Sequence, residues 1–232
     1  MKIISWNCNG ALRKKLRAIQ HLEADIVIIQ ECEDPKQSTD KDYQAWASNY
    51  LWLGVSKNRG LGVFAKPRFK LTPFPLDLGR LESFIPCVIN DDIFLLAVWT
   101  RQANSPTFGY IGQVWKYLDQ FKTTLENKDA LVIGDLNSNA CWDVWDRWWN
   151  HSDVVKILDD IGIASLYHRT KNEEQGKETV PTFFMYRKLE KPYHIDYAFT
   201  SKRWLSSSTI EVGKPEDWLE HSDHMPLLIE LK

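Results

Sequence analysis

Two short apolar runs limit the possible fold more than any other feature of this sequence. DIVIIQ at 25–30 and ALVIG at 130–134 are almost continuously apolar and are followed by polar or acidic residues. Runs of this length are typical of β-strands that are covered on both faces. A sheet with such strands needs a layer on each side, so the sequence predicts a layered sandwich.

Other segments of the chain supply the strands and helices of that sandwich. Further strands are predicted in KIISW, LWLGVS, LGVFAK, FKLTPF, FIPCVIN, DIFLLAVWT, PTFFMYR, HIDYAFT, STIEVG and MPLLIEL. Apolar residues at helical spacing predict helices over 11–23, 110–121 and 153–161, and the polar stretch 31–42 is interpreted as a loop. Consecutive strands with interspersed helices indicate an α+β fold of two packed sheets with helices outside. We expect residues 1–232 to form a single domain.

Composition excludes several classes of protein. Hydrophobic content is 44%, as in ordinary globular proteins. We expect no membrane segment, because no apolar run approaches ~18 residues, and no signal peptide at the start. Four widely separated cysteines indicate reduced thiols, a cytoplasmic location and no zinc site. The net charge of −2 gives no overall basic field for attracting nucleic acid.

Polar side chains end several of the predicted strands, which is the most informative functional pattern. The set contains four acids, three amides and one histidine: Glu31, Asp135, Asp196, Asp223, Asn7, Asn9, Asn137 and His224. If these ends share one edge of the sandwich, so many carboxylates require a cation or a shared proton. Oxygen ligands with one imidazole favour Mg²⁺ or Mn²⁺ over zinc.

Five motifs in order carry a resemblance to a known family. IISWNCNG, IIQEC, VIGDLNSN, HIDYAFTS and SDHMPL resemble the motifs of the endonuclease/exonuclease/phosphatase superfamily of Mg²⁺-dependent phosphodiesterases. The resemblance extends over residues 2 to 231. It implies a four-layer αββα sandwich with the active site at one edge of the sheets.

The resemblance also implies a metal-binding set. Glu31 would be the direct ligand of the ion. Asn7, Asn9 and Asp223 would assist through water molecules or phosphate contacts. For Asn9, shaping the turn after the first strand is an alternative role.

The catalytic roles that the resemblance implies fall on the remaining motif residues. Asp135 would orient and deprotonate the attacking water, while Asn137 holds that water and polarises the phosphate. Asp196 or Asp223 would hydrogen-bond His224 and fix its tautomer, so that its other nitrogen faces the scissile phosphate. How the base and metal roles divide stays open.

The middle strand indicates the branch of the superfamily. DIFLLAVWT ends in Trp99 or Thr100 and lacks the histidine that deoxyribonuclease I-like and many phosphatase members carry there. Tyr110, before the next helix, resembles the tyrosine of exonuclease III-like and abasic-site endonucleases. A buried aromatic at the start of the helix is the alternative interpretation of Tyr110.

A tryptophan-rich stretch, CWDVWDRWWNHSD, follows the GDLNSN motif. Trp142, Trp145 and Trp149 have the spacing of one helical face, which predicts either core anchors or a surface on which bases stack. Arg147 could meet a phosphate. His194 would share a strand face with Asp196, as a phosphate contact or a structural hydrogen bond.

Together these features predict a monomeric Mg²⁺- or Mn²⁺-dependent phosphodiesterase that acts on DNA as an endo- or exonuclease. A phosphatase or phosphodiesterase for a small phosphorylated molecule is the main alternative. The absence of an excess of basic over acidic residues favours it. A binding module that kept the fold without activity is a third hypothesis. The complete set of motif residues opposes it.

Overall fold

The computed structural model describes residues 1–103, 105–126 and 128–232. The strands are Lys2–Asn7 (β1), Ile26–Cys32 (β2), Tyr50–Ser56 (β3), Arg59–Ala65 (β4), Leu71–Pro73 (β5), Phe84–Ile89 (β6), Ile93–Trp99 (β7), Ala130–Asp135 (β8), Ile163–Ser165 (β9), Phe183–Phe184 (β10), Pro192–Tyr193 (β11), Asp196–Ser201 (β12), Thr209–Val212 (β13) and Leu227–Glu230 (β14). The α-helices are Leu16–Gln20 (α1), Lys41–Trp46 (α2), Ile111–Glu126 (α3), His151–Asp160 (α4), Leu166–Lys171 (α5) and Pro215–Trp218 (α6).

The strands form two mixed sheets of six and one short hairpin. The first sheet has the order β13-β14-β1-β2-β4-β3, and the second has the order β5-β6-β7-β8-β12-β9, while β10 pairs with β11. The two apolar runs provide β2 and β8, which lie inside their sheets and are buried almost throughout. The predicted α+β class is therefore confirmed.

Three apolar cores separate four layers. The inner core lies between the sheets and contains Ile28, Leu95 and Leu131. One outer core packs α3 and α4 on the second sheet, and the other packs α1, α2 and α6 on the first sheet. The predicted αββα sandwich is confirmed. In the described part of the chain, no helix has the length and apolar character that a membrane crossing requires.

Three local predictions differ in part from the observed secondary structure. The helix predicted over 11–23 breaks at Lys15, whose φ of −117° and ψ of 6° separate a 3-10 turn from α1. The loop predicted over 31–42 is present over most of its length, with a 3-10 turn at Pro35–Gln37, but β2 extends to Cys32 and α2 begins at Lys41. The Asp40 side chain caps α2 by accepting from the Tyr43 backbone N–H at 3.0 Å. The strand in PTFFMYR ends after two residues, because Tyr186 and Arg187 adopt positive φ angles.

Strand direction brings the polar strand ends to one edge. β1 and β2 are parallel, whereas β14 is antiparallel to β1 and begins where β1 ends. In the second sheet β12 is antiparallel to β8, so that Asp196 lies directly opposite Asp135. The Nδ2 atom of Asn7 donates to Oδ2 of Asp135 at 2.9 Å and joins the two sheets at this edge.

Candidate active site

Asp135 is fully buried at the end of β8 and is surrounded by amide donors. Its Oδ1 accepts from the Asn137 backbone N–H at 2.8 Å. Its Oδ2 accepts from the side-chain amides of Asn137 and Asn7, each at 2.9 Å. Burial and the nearby charge of Asp196 raise the pKa of Asp135 to about 7. The structure thus brings these three predicted residues together.

His224 and Asp196 form a buried pair that crosses between the sheets. Nδ1 of His224 lies 2.9 Å from Oδ2 of Asp196, and we assign its proton to that nitrogen because the carboxylate accepts. Burial alone would lower the pKa of His224, but the Asp196 charge and hydrogen bond outweigh it and raise the pKa to about 9. Of the two predicted partners, Asp196 is therefore the one that bonds His224 through Nδ1.

The residues expected to bind metal form a second group beside this pair. Asn7 Nδ2 lies 3.4 Å from Oε1 of Glu31, and Asn9 Nδ2 donates to Oδ1 of Asp223 at 2.9 Å. The Asn9 backbone N–H also donates to Oδ1 of Asn7 at 3.0 Å. The other oxygen of Glu31 is ion-paired with Arg59. All four residues thus meet at the edge where β1 and β2 end.

Several of these residues have unusual backbone conformations. Asn9, Glu31, Tyr110 and Asn137 all have positive φ angles, between 44° and 65°. At Glu31 the pairing of β2 with β4 shifts register, which is a β-bulge that redirects the side chain. Non-glycine residues in this region cost free energy, and such strain clusters at functional sites.

The donor set fits a hard divalent cation. Among the described residues, one trio of acidic and histidine side chains can place ligand atoms within 4.8 Å of one another: Asp135, Asp196 and His224. Glu31 and Asp223 lie outside that trio but are linked to it through Asn7 and Asn9. Carboxylates dominate the set and no thiolate belongs to it, which suits oxygen-preferring cations.

Ser222 holds the SDH segment in place. Its Oγ donates to the carbonyl of Asn7 at 2.7 Å and accepts from the His224 backbone N–H at 3.1 Å. The Trp6 indole N–H donates to the His224 carbonyl at 2.9 Å. The serine therefore fixes the loop to β1.

A cleft of about 270 Å³ adjoins the edge. Its lining includes Tyr110, Asn137, Trp142, Arg147 and Trp149. Tyr110 is 45% exposed, which excludes the interpretation as a buried core aromatic. The cleft therefore brings together Asn137 and four of the residues that the sequence proposed for catalysis or substrate contact.

The helical face predicted for the tryptophan-rich stretch was wrong. A 3-10 turn covers Ala140–Trp142, and α4 begins only at His151. Side chains compete with helical hydrogen bonding here: Asp143 caps the start of α4, and Asn150 bonds the backbone of Val144. Trp145 is 95% exposed and is no core anchor, whereas Trp149 packs against Phe108.

His194 points into the interior instead of the active-site edge. Its Nδ1 bonds the Val180 carbonyl at 2.7 Å, and its ring packs against Tyr167 and Tyr197. Because β12 begins only at Asp196, the strand alternation that placed both residues on one face does not extend to His194. The structure favours the structural hydrogen bond over the phosphate contact.

A buried polar network lies behind the loop that carries Asn137. Glu178 accepts from Nε2 of His168 at 2.9 Å, from Nδ2 of Asn139 at 3.0 Å and from the Gly176 N–H at 3.0 Å. Asn139 also donates to the His194 carbonyl at 2.9 Å. The network fixes a position two residues beyond Asn137.

Sequence reasoning missed three residues that support or adjoin the site. Thr182 Oγ1 accepts from the backbone N–H groups of Ile195 and Asp196, each at 3.0 Å. The Phe183 ring lies 4.6 Å from the His224 ring, and Arg59 pairs with Glu31. Thr182 and Phe183 lie in a segment that was interpreted only as a strand, Arg59 lies between two predicted strands, and no local spacing marks any of them.

The fold and the site together define a class. A two-sheet sandwich whose edge holds carboxylates, amides and an Asp-bonded histidine is suited to hydrolysing phosphate esters. The family model described as "Endonuclease/Exonuclease/phosphatase family" matches residues 4–224. The chain belongs to this family, and it is accordingly a phosphoesterase hydrolase.

Solved structures share the fold over nearly the whole chain. An AP endonuclease from Archaeoglobus fulgidus has 18% identity and a TM-score of 0.72, with coverage of 100% of this chain and 99% of that one. The 3'-5' exonuclease NExo from Neisseria meningitidis has 20% identity and a TM-score of 0.67, with full coverage of both chains. Truncated Caenorhabditis elegans TDP2 has 15% identity and a TM-score of 0.66, covering 98% and 96%. Comparison with curated proteins gives no significant match.

Proposed function

We propose that the chain is a Mg²⁺- or Mn²⁺-dependent phosphodiesterase that hydrolyses DNA phosphodiester bonds as an endo- or exonuclease of the exonuclease III-like type. One observation carries this proposal. The amide-bonded Asp135 and the Asp196-bonded His224 meet across the two sheets at a single edge. The fold neighbours named as an AP endonuclease and a 3'-5' exonuclease add support for DNA as the substrate.

The chain's own residues would divide the chemistry as follows. Asp135 orients a water molecule and accepts its proton, while Asn137 holds that water and polarises the phosphate. His224 keeps Nδ1 on Asp196 and presents Nε2 to a phosphate oxygen as negative charge develops there. Tyr110, on the wall of the cleft, contacts the substrate beside the scissile bond.

A divalent cation would be held at the same edge. Glu31 would bind it directly, with Asp223, Asn7 and Asn9 acting through water or phosphate contacts. When bound, the cation would supply the positive charge that stabilises phosphate oxygens during displacement. The carboxylate-rich donor set supports Mg²⁺ or Mn²⁺ over softer metals.

The cleft would take the substrate. Trp142, Arg147 and Trp149 line it together with Tyr110, and Trp145 lies exposed in the same loop. The net charge of −2 favours the second candidate, a phosphatase or phosphodiesterase that acts as a monomer on a small phosphorylated molecule.

Hydrolysis assays separate these candidates. Purified protein would be incubated in Mg²⁺, in Mn²⁺ and in chelator, with Asp135→Asn as the blank. The substrates are single-stranded, duplex and abasic-site DNA, RNA and several small phosphomonoesters. Metal-dependent DNA cleavage that Asp135→Asn abolishes would support the proposal. Turnover of small phosphates alone would establish the second candidate, and inactivity on every substrate would return the protein to the binding-module hypothesis.

A further inference from the structure

The segment 142–149, which we name the Trp loop, exposes three tryptophan side chains, two of them by more than half. Trp145 is 95% exposed and Trp148 is 65% exposed, and Val144, directly before Trp145, is also exposed. A solvent-exposed indole ring lacks the hydrophobic stabilisation that most tryptophans gain from burial. Exposed apolar groups concentrated in one place mark interaction surfaces.

Hydrogen bonds hold the Trp loop in a defined shape. The side chain of Asn150 accepts from Val144 N at 3.0 Å and from Arg147 Nε at 2.7 Å, and it donates to the carbonyls of both residues. The Arg147 guanidinium stacks over Trp149 at 4.5 Å. These contacts fix the backbone that carries Trp145 and Trp148, which lowers the entropy cost of binding a flat ligand.

The loop is continuous with the candidate active site. Aromatic rings lead from it to the catalytic histidine in three steps: Trp142 to Tyr193 at 5.3 Å, Tyr193 to Phe183 at 6.2 Å, and Phe183 to His224 at 4.6 Å. A strand whose phosphate lies at His224 can therefore continue along an aromatic surface towards the Trp loop.

The charge of the loop limits what it can bind. Its charged residues are Asp143, Asp146 and Arg147, which give a net charge of −1. The guanidinium of Arg147 is already engaged with Asn150 and Trp149. The loop therefore offers flat apolar rings but no free basic side chain that could bind a phosphate. This combination is suited to stacking on nucleobases and unsuited to binding anionic surfaces.

We infer that Trp145 and Trp148 stack on unpaired nucleobases, so that the protein selects DNA that is single-stranded or frayed on one side of the scissile phosphate. In a paired duplex the base faces are covered by their neighbours, and only unstacked bases can meet an exposed indole. This inference rests on the proposed function and specifies its substrate.

Binding measured without turnover tests the inference. Fluorescence anisotropy in chelator would compare a labelled single strand of about 12 nucleotides with a blunt duplex of the same sequence. We expect Trp145→Leu and Trp148→Leu each to weaken single-strand binding roughly tenfold. Trp145→Phe, which keeps an aromatic face, would restore most of that loss. Duplex binding would change less than twofold.

Trp204, which is partly buried, provides a tryptophan control away from the Trp loop. It lies in the 3-10 turn at the end of β12 that is remote from Asp196, so Trp204→Leu should leave single-strand binding unchanged. Thermal melting of each variant would check that the fold is intact.

Three outcomes would overturn the inference: unchanged single-strand affinity in the Leu variants, an equal loss on duplex, or a wild-type dimer on size exclusion that the Leu variants dissociate. DNA hydrolysis by wild type is measured in parallel. If wild type cleaves DNA but the variants bind normally, the inference alone fails. If wild type cleaves no DNA, the proposed function fails whatever the binding shows.

Discussion

Glu178 offers a sharp test of the polar network behind the active-site loop. Burial alone would raise the pKa of its carboxyl group, but hydrogen bonds from His168, Asn139 and Gly176 outweigh burial and lower the pKa to about 2. Glu178→Gln keeps the size of the side chain and removes its charge. It also points an amide N–H₂ group at one of the donors that now face a carboxylate oxygen.

The expected magnitude follows from the pKa. A carboxyl group whose pKa falls from 4.5 unfolded to about 2 folded contributes about 3 kcal/mol to the free energy of unfolding at neutral pH. Because the folded pKa is the lower one, this contribution is complete above the unfolded pKa and declines as the pH falls towards the folded pKa. Glu178→Gln should therefore cost up to about 3 kcal/mol at neutral pH and progressively less in acid.

Urea unfolding followed by tryptophan fluorescence between about pH 3 and pH 7 would measure this difference. Glu174→Gln is the matched control, because its carboxylate lies exposed on the same segment and, among the described residues, is ion-paired with the exposed Lys177. That control should change stability by less than about 0.5 kcal/mol. A Glu178→Gln deficit that stays constant with pH, or one no larger than the control's, would refute the reasoning. Because Asn139 lies two residues beyond Asn137, we also expect the variant to lower kcat more than it raises KM.

Three further substitutions test other parts of the site. The pKa of His224 is raised in the folded state, so in chelator its protonation stabilises wild type fully below about pH 6.5, and this stabilisation is lost as the pH rises through about 9. Asp196→Asn should make the free energy of unfolding in urea fall less steeply over that pH range. An unchanged pH dependence would contradict the assignment of Asp196 as the partner of His224. Thr182→Val leaves the two buried N–H groups of Ile195 and Asp196 without an acceptor, so a loss of about 2–4 kcal/mol is expected in thermal melting. Gly134→Ala places a Cβ atom 1.8 Å from the Val98 carbonyl oxygen, so the strand next to Asp135 must shift; we expect a loss above about 4 kcal/mol, and a wild-type melting temperature would show that the strands accommodate it.

The layered fold and the composition of the site follow from local patterns. Residues such as Asp135 and Glu31 end apolar runs, so the polarity change itself marks the strand end. Strand direction then determines that these ends meet. The strand order and direction cannot be predicted from any single apolar segment. They were predicted from the order of the motifs, which resembles that of a known family.

Features that depend on distant contacts were not predictable in this way. The spacing of Trp142, Trp145 and Trp149 fits a helix, yet hydrogen bonds from Asp143 and Asn150 to the backbone outweigh that preference. The partners of Glu178 lie in segments without periodicity, so the network could be recognised only from coordinates. The ion pair of Arg59 with Glu31 likewise depends on the register of β2 and β4.

The hydrogen bonds across the two sheets have a consequence for the folding chain. Asn7 ends β1 and His224 lies just before β14, both strands of the first sheet, whereas Asp135 and Asp196 lie on β8 and β12 of the second sheet; two contacts of 2.9 Å connect these residues. Neither sheet alone carries all the residues that we propose for the reaction. We therefore expect a chain in which the sheets have not docked to be inactive, because the proposed reacting groups would lie apart.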